Sequence, residues 1–438
     1  MIAVRFSISI TFAVVTIILL SSSRFGGGAR YTAAWALDSS PRRDGGGNDD
    51  NSAFTLIKLM IINRHGHRAP NGAFWRMCPN DLPNRRRFGV HPEGLTGVGL
   101  AEETAFGRYL RETYNDFISP SYNDRKHFVS AVGEPRTLQS AQSIAQALWR
   151  DGYGPRKFLP RRPQVVPVFS DIASHEYLLN DAPCWPRTKA DATAWVRTVG
   201  AALAKDPANQ KLITDLEALC GMSPAMAATR SLDMLIKTVI DGVIFTHDFG
   251  LTPLNGKIDK KTFFALRNLS NTFLLGKLYG TDAQKTYVAG NLPELMVETG
   301  RWLEGNGTYR LPGDFSATNE GDAVPRPVNI FCVHREMMYG LAFFWDWEYS
   351  VPDMGPGELP AASTVILEYV RERATGRVWV RPKLWTPRPN TGGPLSLPGC
   401  AKKTLCAVEE LQSIYLERVR RTGTWQTLCS WRGSIQFN

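Results

Sequence analysis

The sequence predicts an α/β fold in which a sheet-containing domain is interrupted by a helical cap. Three observations lead there. Apolar runs of strand type, each followed by a polar loop and a helix-type pattern, occur at three distant places. Residues from about 191 to 301 carry helix-type periodicity with few strand runs. Period-two alternation then returns after Pro360.

Met1 to Arg5 is short and basic, Ile8 to Leu20 is almost wholly apolar, and serines follow at 21 to 23, so residues 1–23 have the layout of a secretory signal peptide. The apolar stretch falls short of the ~20 residues a spanning helix needs. Cleavage, with Ala34 and Ala36 as small residues to support it, is the expectation. An uncleaved signal anchor is the alternative, and it is the one route by which the chain would engage a membrane. Either way the destination is the secretory pathway, outside the cell or in a lysosomal or endosomal lumen. Residues 24–53 contain GGG twice and read as a flexible leader.

Folded structure is expected from Phe54, as a sheet domain in two parts (54–185 and 321–438) around a mainly helical insertion (186–320). Phe54 to Ile62 is a strand-type run leading into Arg64-His65-Gly66-His67-Arg68. His127 to Val132 leads into Gly133-Glu134-Pro135-Arg136 and the helical TLQSAQSIAQALW. Val328 to Val333 leads into His334-Arg335-Glu336 and MMYGLAFFW. Ligands of open α/β sheets sit beyond the carboxyl ends of strands, so these loops are expected to converge. Within the insertion, ATAWVRTVGAALAKD, TFFALRNLSNTFLLGKLYG and NLPELMVETGRWLEG have helical spacing. STVILEYVRER and GRVWVRPKLW then form a hairpin turning at Thr375-Gly376, and a final helix runs from Thr404 to Arg421.

Composition narrows the function. With 43% hydrophobic and 21% charged residues the chain is an ordinary globular protein, which excludes extensive disorder past the leader. The net charge of +10 is spread along the chain; Arg85-Arg86-Arg87 is the densest cluster, and no aromatic-interleaved basic module accompanies it. A nucleic-acid partner is therefore not expected. Seven cysteines in an exported chain imply a few disulfides and at least one free thiol, for which Cys332 in VNIFCVH is the buried candidate. Cys400 and Cys406 are close enough to bridge a local loop, although spacing alone leaves connectivity open. Asn268 and Asn306 begin glycosylation triplets.

Of seven histidines, His91, His127 and His175 have no partner in local sequence and read as structural. His65 and His67 stand on one side of an extended backbone, a spacing that also suits zinc and a metal-dependent hydrolase. Arg64 and Arg68 argue against a divalent ion, since fixed cations beside it are costly, and no second cluster completes a ligand set. Neither metal nor other cofactor is expected. The same charges suit a phosphate, which guanidinium groups grip through paired, charge-assisted hydrogen bonds. They also disfavour a protonated imidazole, leaving a ring nitrogen of His65 as nucleophile.

These residues resemble the histidine acid phosphatases, the branch that holds prostatic and lysosomal acid phosphatases and the bacterial and fungal phytases. Arg64 to Pro70 (RHGHRAP) matches the family's RHGxRxP motif in full. Gly94-Leu95-Thr96, Gly99, Gly107 and Tyr109-Leu110-Arg111 follow its next run, EPRTLQSA (134–141) its arginine-bearing segment, and LPGC (397–400) with Cys429 its late cysteines. The resemblance covers about 54–430. It implies a three-layer sandwich, a central mixed sheet flanked by helices (phosphoglycerate-mutase-like), plus the cap. It also implies an acid phosphatase hydrolysing phosphate monoesters through phosphorylation of His65. Arg64, Arg68, Arg136 and a late histidine, His334, would surround the phosphate. Cys184 pairs with Cys429 and Cys400 with Cys406 on this resemblance, while Cys78 and Cys220 are left without partners. A homodimer is a further expectation.

The family's late motif is usually His-Asp, and His247-Asp248 in VIFTHDFG is a rival for it. It is set aside because it lies inside the helical insertion with no strand before it. At His334 the acid's place is taken by Arg335, which either points away or adds a fourth cation. Glu336, one residue on, is the expected proton donor, with Glu134 in reserve; proton donation is typically worth ~10² to 10⁴ in rate. The acid at 336 resembles the His-Ala-Glu arrangement of some inositol-phosphate phosphatases. Three readings follow: a phosphatase of small monoesters, an inositol polyphosphate phosphatase, and a catalytically impaired receptor for phosphorylated ligands.

Overall fold

The computed structural model describes residues 53–150, 164–171, 179, 182–306, 326–352, 354–355 and 357–431. The signal segment, almost all of the leader, His175 and positions 307–325 lie outside the described residues.

Phe54–Arg64 forms β1, the middle of a mixed sheet. His127–Ala131 (β2), Val328–Val333 (β3), Thr364–Glu372 (β4), Val378–Pro387 (β5) and Asn390–Pro394 (β6) give the order β2-β3-β1-β4-β5-β6, with Cys406–Ala407 (β7) on β5. β1, β2 and β3 are parallel, and β4, β5 and β6 run antiparallel to their neighbours. In register, Arg64 faces Val333 and Ala131 faces Cys332. The three parallel strands therefore end level, and the loops after them leave from one edge of the sheet.

β1 is buried on both faces from Leu59 onward, which explains an apolar run without alternation. Leu59 and Ile61 pack with Phe106, Leu110, Ile144 and Leu148 of the helices Gly97–Thr113 and Pro135–Leu148. Met60 and Ile62 pack on the other side with Tyr287, Leu292, Leu295 and Met338, from the helices Asp282–Ala289, Leu292–Leu303 and Arg335–Phe344. The result is a three-layer α/β/α sandwich around a mixed sheet, the class the resemblance implies.

Residues of the insertion are helical from Trp185 to Leu303, with no strand among the described residues there. Two of its helices, Asp282–Ala289 and Leu292–Leu303, lie against the sheet and not in the cap. The cap has its own core, where Ile213, Val239, Val243 and Phe263 pack with Phe74 and Trp75 from the segment after β1, and the Cys78–Cys220 disulfide joins the two. Cys184–Cys429 and Cys400–Cys406 are also bridged, and Cys332 is free and buried. The last long helix begins at Val408, not Thr404, because Cys406 and Ala407 pair with Val380 and Trp379 first.

Candidate active site

The loop after β1 is built by backbone contact. A Cβ on Gly66 would lie 2.6 Å from the Gly99 carbonyl oxygen, and one on Gly99 would lie 2.3 Å from the His67 carbonyl oxygen. Both positions need glycine for want of space. Gly66 N also donates to Ser140 Oγ at 3.1 Å, joining the loop to the helix that carries Arg136. His67 turns away from the reaction edge: Nδ1 meets Thr96 Oγ1 and Nε2 meets the Phe245 carbonyl, each at 2.9 Å, and its ring lies against Phe249. Burial lowers its pKa to about 4, and this neutral ring ties the loop to the cap.

His65 is buried, with Nδ1 2.8 Å from the Gly66 carbonyl. A carbonyl only accepts, so Nδ1 carries the proton and Nε2 the lone pair. That lone pair receives Arg136 Nε–H at 3.3 Å. Burial, then the charges of His334, Arg136 and Arg64, hold His65 well below the usual histidine range. Its ring centroid is 5.4 Å from that of His334, and Arg136 Nη2 reaches to 3.5 Å from His334 Nδ1. Glu134 completes this side, with one oxygen 2.5 Å from Arg136 Nη1 and the other 3.5 Å from His334 Nε2, an ionic separation.

The remaining arginines are held open to an anion. Arg64 is buried and donates to the Leu359 carbonyl; burial and the Arg335 charge push its pKa down, and its Nε has no partner among the described residues. Arg68 is pushed down to about 10 by burial and by Arg136, and lies over the Phe245 ring at 4.6 Å. Both guanidinium pKa values are depressed first by burial and then by neighbouring cations, and a bound dianion would offset both.

A cavity of about 850 Å³ opens from Arg64, His65 and Arg68 toward the cap. Its far wall is aromatic, with Phe245, Phe263 and Phe264. The charges of this wall are paired over long stretches of chain. Arg267 is bound by Asp248 at 3.0 Å and Glu358 at 2.8 Å, and Arg335 Nη2 lies 3.2 Å from Asp241 Oδ2. These pairs join residues 19 to 94 positions apart, so no local pattern in the sequence marks them. His247 and Asp248, the rival motif, border the cavity on the cap side. The His247 ring stacks on Phe263 with centroids 3.9 Å apart, while His334 is the histidine brought to His65.

The expected proton donor is placed differently from the sequence reading. Glu336 is not among the residues that border the cavity, and its Oε1 lies 3.7 Å from Arg335. Burial opposes its ionisation, yet Arg335 and His334 pull it down to about 2. Its carboxyl is thus held in the ionised form beside Arg335.

Comparison with known proteins agrees with this geometry. Residues 55–199 match the model of the histidine phosphatase superfamily, branch 2. Testicular acid phosphatase of Mus musculus is 30% identical over 122 residues, which are 26% of this chain and 28% of that protein. Prostatic acid phosphatase of Bos taurus is 31% identical over 125 residues, 28% of this chain and 30% of its own length. The match thus spans under a third of these relatives. The phytase from Citrobacter braakii superposes with a TM-score of 0.60 at 16% identity, covering 83% of this chain and 98% of that one. The multiple inositol polyphosphate phosphatase of Bifidobacterium longum gives 0.55 at 11%, covering 89% and 96%. Residues 55–199 thus match the model of the histidine phosphatase superfamily, branch 2, and the described fold is similar to that of the two solved enzymes.

Proposed function

We propose that this protein is a phosphatase of small phosphate monoesters working through a phosphohistidine at His65. The observation that carries the reading is the His65 lone pair at Nε2, facing Arg136 with Arg64 and Arg68 beside it. Arg64, Arg68, Arg136 and His334 hold the phosphate, and their charges stabilise the equatorial oxygens as the phosphoryl group passes to His65. Water then hydrolyses the phosphohistidine.

Small monoesters are favoured over inositol polyphosphates by the cavity wall. Arg335 and Arg267 are answered by Asp241, Asp248 and Glu358, and the rings of Phe245, Phe263 and Phe264 line the same wall, so these two cations offer little surplus charge to further phosphates. Three disulfides suit an oxidising compartment on the secretory route, and Asn268 is exposed on its helix, as a glycan acceptor must be. The test compares kcat/KM on p-nitrophenyl phosphate, glycerol phosphate and inositol hexakisphosphate. Monoesters should be preferred; turnover of the hexakisphosphate alone would assign the protein to the inositol phosphatases. Tight phosphate binding without turnover would make it a receptor.

A further inference from the structure

The phosphatase reading leaves one step without a residue: Arg335 follows the late histidine, Glu336 lies off the cavity, and Glu134, the reserve donor, is paired with Arg136 at 2.5 Å and held below the usual carboxylate range by His334 and Arg136. The described acids bordering the cavity are Glu102, Asp241, Asp248, Asp259 and Glu358. Asp241 is committed to Arg335 and to Ser270 Oγ at 2.8 Å, and Asp248 and Glu358 are committed to Arg267. Asp259 caps its helix through Thr262 N at 2.7 Å, at the solvent-exposed rim.

Glu102 differs from all of them. It stands on the helix Gly97–Thr113 and borders the same cavity as His65 and Arg68, with its side chain 11% exposed. Oε2 accepts His67 N–H at 2.9 Å, which places the carboxyl between His65 and Arg68 along the loop. Oε1 has no hydrogen bond among the described residues; Arg388 is 3.7 Å from it.

Resting on the phosphatase reading, we propose that Glu102 is the proton donor to the leaving group. As His65 Nε2 bonds to phosphorus, the phosphorus–ester oxygen bond breaks and its electron pair stays on the ester oxygen, which takes the proton from Glu102 Oε1. The carboxylate then takes a proton from the water that attacks the phosphohistidine, so phosphate leaves and both His65 and Glu102 are restored.

The surroundings support a carboxyl that keeps its proton in acid. Burial raises Glu102 to about 7, against the His67 N–H bond and the Arg388 and Arg64 charges, with Asp248 adding to the rise. Its neighbour Glu103 is fully buried, accepts from Asn63 Nδ2 at 3.0 Å, and is pushed well above the usual carboxyl range by burial and by Glu102. His67, the other titratable group packed here, is neutral above about 4.

The test is Glu102→Gln, which keeps the shape and the acceptor for His67 N–H. Its kcat on glycerol phosphate, whose leaving group is poor, should fall ~10² to 10⁴-fold, and its kcat on p-nitrophenyl phosphate by a much smaller factor. Glu336→Gln should leave the ratio of the two rates within about twofold of the parent's, because Glu336 does not border the cavity and would give no proton to the leaving group. A second measurement needs no variant: kcat of the parent on glycerol phosphate should fall as pH rises through about 7, ahead of any fall with p-nitrophenyl phosphate. Equal losses on both substrates in Glu102→Gln, or a selective loss in Glu336→Gln instead, would overturn the assignment while leaving the phosphatase reading intact. A parent inert on both substrates would overturn both.

Discussion

Arg335 Nη2 lies 3.2 Å from Asp241 Oδ2, so the cation that follows the late histidine is answered by an acid from the cap. Of the two orientations the sequence left open for Arg335, neither describes it fully: it borders the cavity, and its charge is already matched. The pair also ties the cap to the sheet domain at the edge where phosphate is expected.

Asp241→Asn should expose that balance. Breaking a fully buried pair costs ~3–5 kcal/mol; with the Arg335 side chain 20% exposed, the loss should be nearer 2 kcal/mol. Inhibition by inorganic phosphate should tighten at the same time, because Arg335 becomes a surplus cation beside Arg64. Thermal unfolding and a phosphate inhibition constant check the two halves.

Arg136 touches both histidines, at 3.3 Å from His65 and 3.5 Å from His334. Arg136→Ala removes a donor aimed at charge that develops in the transition state, a loss typically of ~10² to 10³ in kcat. Steady-state kinetics on p-nitrophenyl phosphate should find the change in kcat more than in KM.

Gly99→Ala should act on the site from behind. Its Cβ would sit 2.3 Å from the His67 carbonyl oxygen and 2.7 Å from His67 N, two backbone atoms that cannot yield as the Leu95 methyl at 2.8 Å could. Overpacking of this kind costs ~1–3 kcal/mol. The displaced loop carries His65 and Arg68, so activity should fall further than stability, as paired melting and rate measurements would record.

Glu102 also makes stability depend on pH. Its folded pKa, about 7, is raised from 4.5, so below 4.5 both states are protonated and nothing is lost. As pH rises from 4.5 to 7 the unfolded chain releases its proton first, and the fold is penalised increasingly, by on the order of 3 kcal/mol once above 7. Glu102→Gln should therefore melt above the parent at pH 8 and level with it near pH 4.

The sheet and its loops were legible because they rest on local signals. Three strand-type runs followed by Arg64-His65, Gly133 to Arg136 and His334 are each contiguous, and level strand ends bring them together. The cap wall was not legible, since Asp241, Arg267 and Glu358 acquire meaning only from partners far along the chain. β6 was missed because Asn390 to Pro394, reading NTGGP, has no alternation and is a strand only by pairing with β5. Glu102 and Glu103 form a visible acidic pair, yet nothing local says that both point inward under the loop. Glu336, singled out by its proximity to His334 in sequence, lies beside Arg335 and does not border the cavity, a placement that no local pattern marks.

The central claim is that His65 accepts the phosphoryl group. It is tested most directly by p-nitrophenyl phosphate hydrolysis from acidic to neutral pH, in EDTA, comparing the parent with His65→Ala. The good leaving group removes dependence on the proton donor. Turnover by the parent and its loss in a folded, phosphate-binding His65→Ala protein is the predicted result. Comparable turnover in both would contradict the phosphohistidine mechanism and the function built on it.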